Sequence, residues 1–362
     1  MAEKIAFGKA QLKLLEKLCN AIAVSGDEGE VRKIVLDEIK PYADEVKVDA
    51  LGNVLAVKRG AALSASQSKG RGAKRLRVML DAHMDEVGFM IVAEDGEGIY
   101  RFETVGSIDV RHLVGKQVFV GKDRMPGVIG GKPVHLMEGD EYTRKVPLDA
   151  LRIDVGLGGK AKIGDRAGFA TKFRHAGQTI MSKAIDDRIG VATLIELFKH
   201  APANIDLCAA FTVQEEIGLR GAKVAAQYFN PDLAIAIDST PANDLPVHDG
   251  SENTAYNTKL GAGPAIYIAD GSTLHDPRLV RFLSAVGDAE AIPYQFRQPG
   301  GGGTDSGAIQ RALAGIPTVS VSVPHRYTHS PISLARVDDW KHTLALLHAA
   351  LKRITPALLA SR

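Results

Sequence analysis

The chain has 362 residues, with 45 Lys and Arg against 43 Asp and Glu, so its formal net charge at pH 7 is only +2. This near balance argues against a dedicated binder of nucleic acids or other polyanions. Apolar residues make up 45% and charged residues 24% of the sequence, which is ordinary for a globular protein. The length allows two domains, or one large domain that carries an insertion.

The cysteines and the N-terminus bear on the cellular compartment. Cys19 and Cys208 lie in apolar surroundings without a metal-type partner at short spacing, so we expect buried free thiols in a reducing compartment. The N-terminal segment has helical spacing with charges between its leucines, unlike a signal peptide. No apolar run approaches the roughly 20 residues of a membrane helix. We therefore expect a cytoplasmic protein without membrane or nucleic-acid partners.

The first part of the chain is predicted to form two helices and a hairpin. Apolar residues at helical spacing indicate a helix over about 10–23. A second helix is capped by Asp27 or Glu28 and ends at Pro41. Two β-type runs on either side of Leu51-Gly52 predict a β-hairpin.

The rest of the chain divides into a β-rich part and an alternating part. From Glu86 to about Thr179, short β-type runs alternate with glycines, which predicts a small β-barrel or sandwich. After Ser182 helical and strand patterns alternate. Helices are expected at about 187–200, 220–228, 277–286, 305–314 and from 338, and strands at 207–213, 233–237 and 316–323. The predicted fold class is α/β, a mixed, largely parallel sheet with flanking helices and an inserted small β-domain.

Four predicted strands run directly into carboxylates or histidines. In chain order, the groups at the strand ends are His83 and Asp85, Glu215 and Glu216, Asp238, and His325 and His329. A further pair, Asp186 and Asp187, precedes a predicted helix. Ligands of open α/β sheets bind at the carboxyl ends of the strands, because the following loops converge there.

Each of these groups has a simpler explanation when it is considered alone. Asp186 could cap a helix, Glu215-Glu216 could be a solvated loop, and a single histidine at a strand end is usually an ordinary polar residue. Several acids next to apolar strands would nevertheless be costly to bury without cations or hydrogen bonds. The combined pattern therefore predicts a metal site.

The ligand set mixes imidazoles with carboxylates and contains no cysteine. The five candidate ligands are His83, Asp186, Glu216, Asp238 and His329. Such a set favours Zn²⁺, Co²⁺ or Mn²⁺ in a site that keeps open positions for water. Five protein ligands are too many for one catalytic zinc and suit two ions that share a carboxylate.

Six short segments follow one another across nearly the whole chain. They are Asp81-Ala-His-Met-Asp-Glu-Val-Gly-Phe-Met, Gly127-Val-Ile-Gly, Lys183-Ala-Ile-Asp-Asp-Arg-Ile-Gly, Val213-Gln-Glu-Glu-Ile-Gly-Leu-Arg-Gly-Ala, Gly302-Gly-Thr-Asp-Ser-Gly-Ala and Arg326-Tyr-Thr-His-Ser-Pro. In this order they resemble the M42 family of metallo-aminopeptidases, which includes the tetrahedral (TET) aminopeptidases.

The resemblance implies a role for each site residue. Asp186 would bridge two divalent metal ions per subunit. His83 and Asp238 would complete one metal site, and Glu216 and His329 the other. Glu215 would be the general base, and Asp85 would support His83.

The spacing of these residues agrees with such roles. His83 and Asp85 are two apart, so on an extended segment they point to the same side, where Asp85 could fix the imidazole tautomer. Glu215 and Glu216 are adjacent and point differently, so one could bind metal while the other faces the attacking water. Glu215 would then take a proton from that water and return it to the leaving amine.

The resemblance also implies an organisation and an assembly. Residues 1–87 together with 180–362 would form the catalytic domain, and residues 88–179 an inserted β-domain used in oligomerisation. Twelve subunits could build a tetrahedral homo-oligomer that acts on peptides.

Two other functions remain compatible with the sequence. Related two-metal folds include deacylases and dipeptidases that act on N-acylated amino acids or small acyl-peptides. A non-catalytic assembly protein on a hydrolase scaffold is the third possibility, although such proteins usually lose ligands or the base.

Four features stay undecided. The basic stretch 58–77 is longer than the family needs and could be an anion-binding arm or a flexible loop between strands. The polar stretch after Asp238 could define a subgroup with its own substrate. The loop Gly300–Asp305 could let backbone approach the substrate, or connect to a helix capped by Thr304 or Asp305. His325 could contact substrate or be a loop residue.

Overall fold

The computed structural model describes residues 5–61, 75–251, 253, 257–298 and 300–360. The helices in these ranges are α1 Lys9–Asn20, α2 Gly29–Ile39, α3 Ile185–Lys199, α4 Arg220–Phe229, α5 Pro277–Glu290, α6 Ser306–Gln310 and α7 Val337–Arg353. The strands are β1 Glu45–Val48, β2 Val54–Lys58, β3 Arg77–His83, β4 Gly88–Gly96, β5 Ile99–Val105, β6 Gln117–Val120, β7 Met125–Gly130, β8 Arg152–Asp154, β9 Arg166–Phe169, β10 Arg174–Ala176, β11 Thr179–Ser182, β12 Asp206–Thr212, β13 Leu233–Pro241, β14 Ala265–Tyr267, β15 Gln295–Arg297, β16 Thr318–Arg326 and β17 Ser333–Arg336.

One large mixed sheet forms the centre of the molecule. Its strand order is β1-β2-β12-β3-β13-β16-β17-β11-β10, and β14 pairs with both β15 and β16. The four neighbours β12, β3, β13 and β16 are parallel to one another. These are the four strands predicted to end in site residues, so their carboxyl ends lie at one edge of the sheet. The predicted α/β fold class is confirmed: the sheet is mixed, and its centre is parallel.

Helices cover both faces of this sheet, because successive side chains of a strand point to opposite faces. Val78 and Leu80 of β3 pack in the core formed with α1, α2, α3, α5 and α7. Met79 lies between them in sequence and packs in the second core, with residues of α4 and α6. Both strand faces are therefore apolar, as expected for a buried parallel strand.

A closed barrel is inserted between β3 and β10. Its strand order is β4-β5-β8-β7-β6-β9, and Phe89 packs edge-on against Phe102 and Phe169 in its interior, with ring centroids 5.1 Å and 5.2 Å away. Gly88 stands where the chain enters the barrel. A Cβ at this position would lie 2.5 Å from a Val24 methyl and 2.7 Å from the Ala167 carbonyl oxygen, so only glycine allows the close approach.

Several element boundaries differ from those predicted. Helix α1 ends at Asn20, because Ala21 is already extended. Glu28 occupies the N-cap position of α2 but accepts a hydrogen bond from the Gly26 amide instead of capping the helix. Helix α6 is much shorter than the predicted 305–314. Strands β14, β15 and β17 were not predicted.

The two cysteines are buried and unpaired. Among the helices of the described ranges, none combines the length and apolar character needed to cross a bilayer. Residues 62–74 of the basic stretch 58–77 lie outside the described residues, so both interpretations of that stretch stay open.

Candidate metal centre

The five predicted ligands converge at the carboxyl edge of the parallel strands. His83 ends β3, Asp238 lies on β13, Glu216 follows β12 and His329 follows β16, while Asp186 lies at the start of α3. Two groups of possible metal ligands form, each with its donor atoms within 4.8 Å of one another. One consists of His83, Asp186 and Asp238, and the other of Asp186, Glu216 and His329.

Asp186 belongs to both groups and turns a different oxygen to each. Its Oδ1 lies 3.1 Å from His83 Nε2, and its Oδ2 lies 3.5 Å from His329 Nε2. His83 Nε2 is 3.8 Å from Asp238 Oδ1, and His329 Nε2 is 3.2 Å from Glu216 Oε2. A carboxylate with one oxygen in each group is the geometry needed to bridge two ions.

The buried carboxylates of the candidate site favour the binding of cations. Burial raises the pKa of Glu216 to about 8 and that of Asp238 to about 6, although the neighbouring histidines oppose the shift. Burial lowers the pKa of His329, but Asp186 and Glu216 outweigh it and raise the value to about 9. Within the described ranges, Glu216 Oε1 is buried without a hydrogen-bond partner. The carboxylates and imidazoles of the two groups fit divalent ions. Their lone pairs point toward one another, and a bound metal ion would accept them.

Asp85 contacts both His83 and the turn formed by Glu215 and Glu216. Its Oδ1 lies 3.4 Å from His83 Nδ1, on the ring nitrogen opposite the one that faces Asp186. Its two oxygens also accept the backbone N–H groups of Glu215, at 3.0 Å, and Glu216, at 3.2 Å, and its Oδ2 accepts the Ser25 hydroxyl at 2.6 Å. Asp85 therefore anchors the backbone of the Glu215-Glu216 turn and lies within ion-pair distance of His83.

Glu215 is adjacent in sequence to the candidate ligand Glu216. Among the described residues its side chain has no hydrogen-bond partner, whereas its backbone N–H is held by Asp85. Burial raises its pKa well above the ordinary value, the charge of His83 opposes this, and those of Glu216 and Asp305 add to it. A free carboxylate at this position can act as a proton acceptor.

The backbone around the site adopts left-handed conformations at residues other than glycine. Ala184 (φ 51°), Gln214 (φ 59°), Tyr327 (φ 65°) and His329 (φ 54°) each lie within two residues of a candidate ligand, or are one. Such conformations cost free energy, of order 1–3 kcal/mol in the less populated cases, and cluster at functional sites. The Asp186–Asp187 peptide bond is cis.

A buried ion cluster, missed by the sequence reasoning, lies behind the site. Glu86 accepts from Lys183 Nζ at 2.8 Å and from Arg188 Nη2 at 3.0 Å, and all three side chains are at most 3% exposed. Arg188 also donates to the carbonyl oxygens of Met84 and Asp85. The cluster therefore ties the segment after β3 to the start of α3. The only available signal was that these charges flank the ligands in sequence.

Three more acids lie close to the ligands without joining either group. Asp187 accepts the Gly190 N–H at 3.0 Å and so caps α3 internally. Asp81 and Asp305 are both buried, and Asp305 also accepts the Thr212 hydroxyl at 2.7 Å. Burial and the negative charge of Asp305 raise the pKa of Asp81 well above its usual range.

His325 is neither an exposed loop residue nor free to reach a substrate. It lies at 0% exposure on β16, and its Nε2 is 3.2 Å from Ser239 Oγ and 2.8 Å from Thr328 Oγ1. Ser239 follows the candidate ligand Asp238, and Thr328 precedes the candidate ligand His329. Burial lowers the pKa of His325 to about 4, so the ring is neutral.

The glycine loop before α6 contacts other loops rather than capping a helix. Thr304 receives the Ser306 N–H at a long 3.3 Å, and Asp305 makes no cap bond. The carbonyl oxygen of Gly301 accepts from Arg297, and that of Gly302 from the Gly271 N–H at 2.7 Å.

The sequence relatives of this chain are described as aminopeptidases. A family model described as M42 glutamyl aminopeptidase matches residues 64–346. The lysyl aminopeptidase of Pyrococcus furiosus is 32% identical over 95% of this chain and 97% of its own length. The glutamyl aminopeptidase of Lactococcus lactis is 31% identical over 91% of this chain and 92% of its own length.

Solved structures agree with the sequence relatives. The aminopeptidase APDkam598 of Desulfurococcus kamchatkensis superposes with a TM-score of 0.88 at 32% identity, covering 97% of each chain. The TET1 peptidase of Pyrococcus horikoshii, which can assemble into a tetrahedron or a large octahedral shell, gives a TM-score of 0.80 at 33% identity. That alignment covers 95% of this chain and 100% of the other.

Proposed function

The chain belongs to the M42 family of aminopeptidases and is a peptide-bond hydrolase, and we propose that it works with two divalent metal ions per subunit. The proposed ligands are His83 and Asp238 for one ion, Glu216 and His329 for the other, and Asp186 for both. The observation that carries this proposal is the placement of the two Asp186 oxygens, one in each ligand group. Zn²⁺ is the proposed metal, with Co²⁺ or Mn²⁺ as alternatives.

The chain's own residues would supply the proton transfers. Divalent ions bound there would polarise the scissile carbonyl and acidify a water molecule. Glu215 takes the proton of the attacking water and returns it to the leaving amine. Asp85 keeps Glu215 in place through the backbone N–H, and its carboxylate lies 3.4 Å from Nδ1 of the His83 ring. Asp85 is thus a positioning residue for both.

Replacement of Glu215 by glutamine tests this mechanism. We expect the Glu215→Gln variant to lose about 10²–10⁴-fold in kcat, because it cannot accept a proton. Its metal content should stay that of the wild type, since no ligand is removed. The measurement is hydrolysis of a panel of peptides with free N-termini in Zn²⁺, Co²⁺ or Mn²⁺, beside metal analysis of both proteins. Full activity in Glu215→Gln would rule out its role as the base.

The same panel separates an aminopeptidase from a deacylase. Peptides whose N-terminal amine is acetylated serve as matched substrates. An aminopeptidase loses activity when the amine is blocked, whereas an enzyme for N-acylated amino acids or acyl-peptides requires the block.

We also propose the domain organisation and the assembly. Residues 1–87 with 180–362 form the catalytic domain, and residues 88–179 the insert used in oligomerisation. The barrel strands occupy Gly88–Phe169 of that insert, whereas β10, near its end, already belongs to the large sheet. A cytoplasmic homo-oligomer of twelve subunits in a tetrahedral shell is the proposed state, in line with the TET1 peptidase.

A further inference from the structure

Ser25 is a buried residue that reaches the candidate site from a segment distant in sequence. It lies between α1 and α2, and only 1% of its surface is exposed. Its hydroxyl donates to Asp85 Oδ2 at 2.6 Å. This distance is in the short range that is typical of a hydroxyl bonded to a charged carboxylate. The mechanism above uses Asp85 but assigns nothing to Ser25.

The Ser25 hydroxyl makes the shortest of the contacts that fix the Asp85 carboxylate. Oδ1 accepts the Glu215 N–H at 3.0 Å and lies 3.4 Å from His83 Nδ1. Among the described residues, Oδ2 accepts only the Ser25 hydroxyl and the Glu216 N–H, the latter at 3.2 Å. Asp85 is 0% exposed, so bulk water does not replace a lost partner. Without the hydroxyl, Oδ2 would keep a single long hydrogen bond.

An arginine of the barrel holds the backbone at Ser25. Arg166, on β9, donates from Nε to the Ser25 carbonyl oxygen at 3.1 Å and from Nη1 to the Gly164 carbonyl oxygen at 2.9 Å. Gly26 follows Ser25 with a φ of 83°, and a Cβ there would lie 3.1 Å from Arg166 Nη2. Glycine therefore allows both the left-handed backbone and the close approach of the guanidinium.

The residues before Ser25 are fixed on the side of the large sheet. The Ala23 N–H donates to Glu86 Oε1 at 2.9 Å, and the Glu86 N–H donates to the Ala23 carbonyl oxygen at 3.0 Å. Val24 forms a parallel β-bridge with Glu86 and is 0% exposed. The backbone is thus held on both sides of Ser25, by Glu86 before it and by Arg166 at its own carbonyl. The direction of the Ser25 hydroxyl is therefore well defined.

We propose that Ser25 is a positioning residue for the metal centre and that Arg166 of the barrel acts through it. The contacts run from the Arg166 guanidinium to the Ser25 carbonyl, and from the Ser25 hydroxyl to the Asp85 carboxylate. With Oδ2 held by Ser25, Oδ1 stays toward His83 Nδ1, on the side of the ring opposite the candidate site. Partners of this kind orient an imidazole ligand. The proposal rests on the proposed function, in which His83 binds a metal ion.

The test measures the affinity for Zn²⁺ by competition titration with a metal chelator. We expect Ser25→Ala, which removes one oxygen and keeps the Cβ, to bind Zn²⁺ about 10-fold more weakly than the wild type. Ser25→Thr keeps the hydroxyl and should recover most of the affinity. The double variant of Ser25→Ala with Asp85→Asn should bind Zn²⁺ as Asp85→Asn does alone, because Ser25 acts through the Asp85 carboxylate.

A matched pair of arginines tests the contribution of the barrel. Arg166→Met removes the donor to the Ser25 carbonyl and should weaken Zn²⁺ binding in the same direction as Ser25→Ala, but less. Arg124→Met is the control. Arg124 also joins the barrel to the region of Ser25, through an ion pair with Glu30 at the surface, but it has no contact with Ser25. This variant should keep the wild-type affinity, so a general loosening of the barrel is separated from loss of the Ser25 contact.

Contrary results distinguish this proposal from the proposed function. Wild-type affinity in Ser25→Ala, no recovery in Ser25→Thr, or additive losses in the double variant would overturn the role of Ser25. Equal affinities in Arg166→Met and Arg124→Met would overturn the part assigned to Arg166. A wild type that binds none of Zn²⁺, Co²⁺ and Mn²⁺ would overturn the proposed two-metal function itself.

Discussion

Among single residues, Asp85 and His325 contact the candidate ligands or the segments that carry them. Asp85 lies close to His83 and accepts hydrogen bonds from the backbone of Glu215 and Glu216. The His325 ring contacts Ser239, on the strand that carries Asp238, and Thr328, on the loop that carries His329. Partners of this kind orient metal ligands, and their loss usually weakens metal binding.

We predict that His325→Ala lowers the affinity for metal by about 10-fold, because Ser239 and Thr328 lose their common partner. His325→Gln is the matched control, since its amide can still bond to a hydroxyl, and it should lie between Ala and the wild type. The measurement is a competition titration with a metal chelator. Equal affinity in all three proteins would mean that the His325 link has no role in the site.

The candidate ligands could be predicted from the sequence, and their partners could not. Each of His83, Glu216, Asp238 and His329 lies at or soon after the end of an apolar strand, and sequence alone shows that position. The contacts of Ser25 with Asp85 and of Arg166 with Ser25 join residues far apart in the chain. Such contacts depend on how distant elements pack, which residue types and spacing do not encode.

At the scale of secondary-structure elements, the buried cluster of Glu86, Lys183 and Arg188 connects the end of β3 to the start of α3. Two buried cations share one carboxylate there, with backbone carbonyls as further acceptors. Removal of one partner from such a group leaves a buried charge uncompensated, which is more costly than the net contribution of the pair.

We predict that Glu86→Gln lowers the free energy of unfolding by about 3–5 kcal/mol. Glu30→Gln is the control, because Glu30 pairs with Arg124 at the surface, where an ion pair contributes about 0–1 kcal/mol. Urea unfolding of the three proteins measures both effects. Equal losses in the two variants would show that burial of the cluster does not matter.

Helix α7 carries a pH-dependent contribution to stability. His348 is 8% exposed, and burial, with Lys352 and His200 adding to it, lowers its pKa to about 4 from the ordinary 6.5. Between these values the unfolded chain binds a proton that the folded chain does not, so stability falls as pH decreases from about 6.5 to 4. Above pH 6.5 both states are neutral and the effect vanishes.

We therefore predict that His348→Gln shows a weaker loss of stability than the wild type between pH 6.5 and 4, by on the order of 1–3 kcal/mol. Unfolding by urea at a series of pH values measures this. Parallel curves for the two proteins over that range would contradict a neutral buried His348.

The elements themselves were predictable to different degrees. Helices with a strong apolar stripe, such as α2 and α7, and the four parallel strands were found, because periodicity is a local property. Strands β14, β15 and β17 have three or four residues and exist through pairing with β16 and its neighbours, so the local pattern carries little signal for them.

At the scale of the whole molecule, the barrel presents apolar side chains to solvent in the single chain. Leu157 is 88% exposed and Ile163 74%. Isolated exposed apolar residues are common, but a subunit of a shell would cover part of such a surface.

We predict a particle whose mass is that of twelve chains of 38.6 kDa each. Light scattering coupled to size-exclusion chromatography measures it, with dilution as the control for weak association. A mass that stays at one or two chains would contradict the tetrahedral assembly. It would not bear on the proposed metal site.

We propose that two ions share Asp186, and an anomalous difference map of crystals grown with Zn²⁺ would show this arrangement. We predict two peaks per chain, one between His83 and Asp238 and one between Glu216 and His329, with an Asp186 oxygen at each. A single peak, or peaks that do not contact Asp186, would contradict the sharing of Asp186 by two ions.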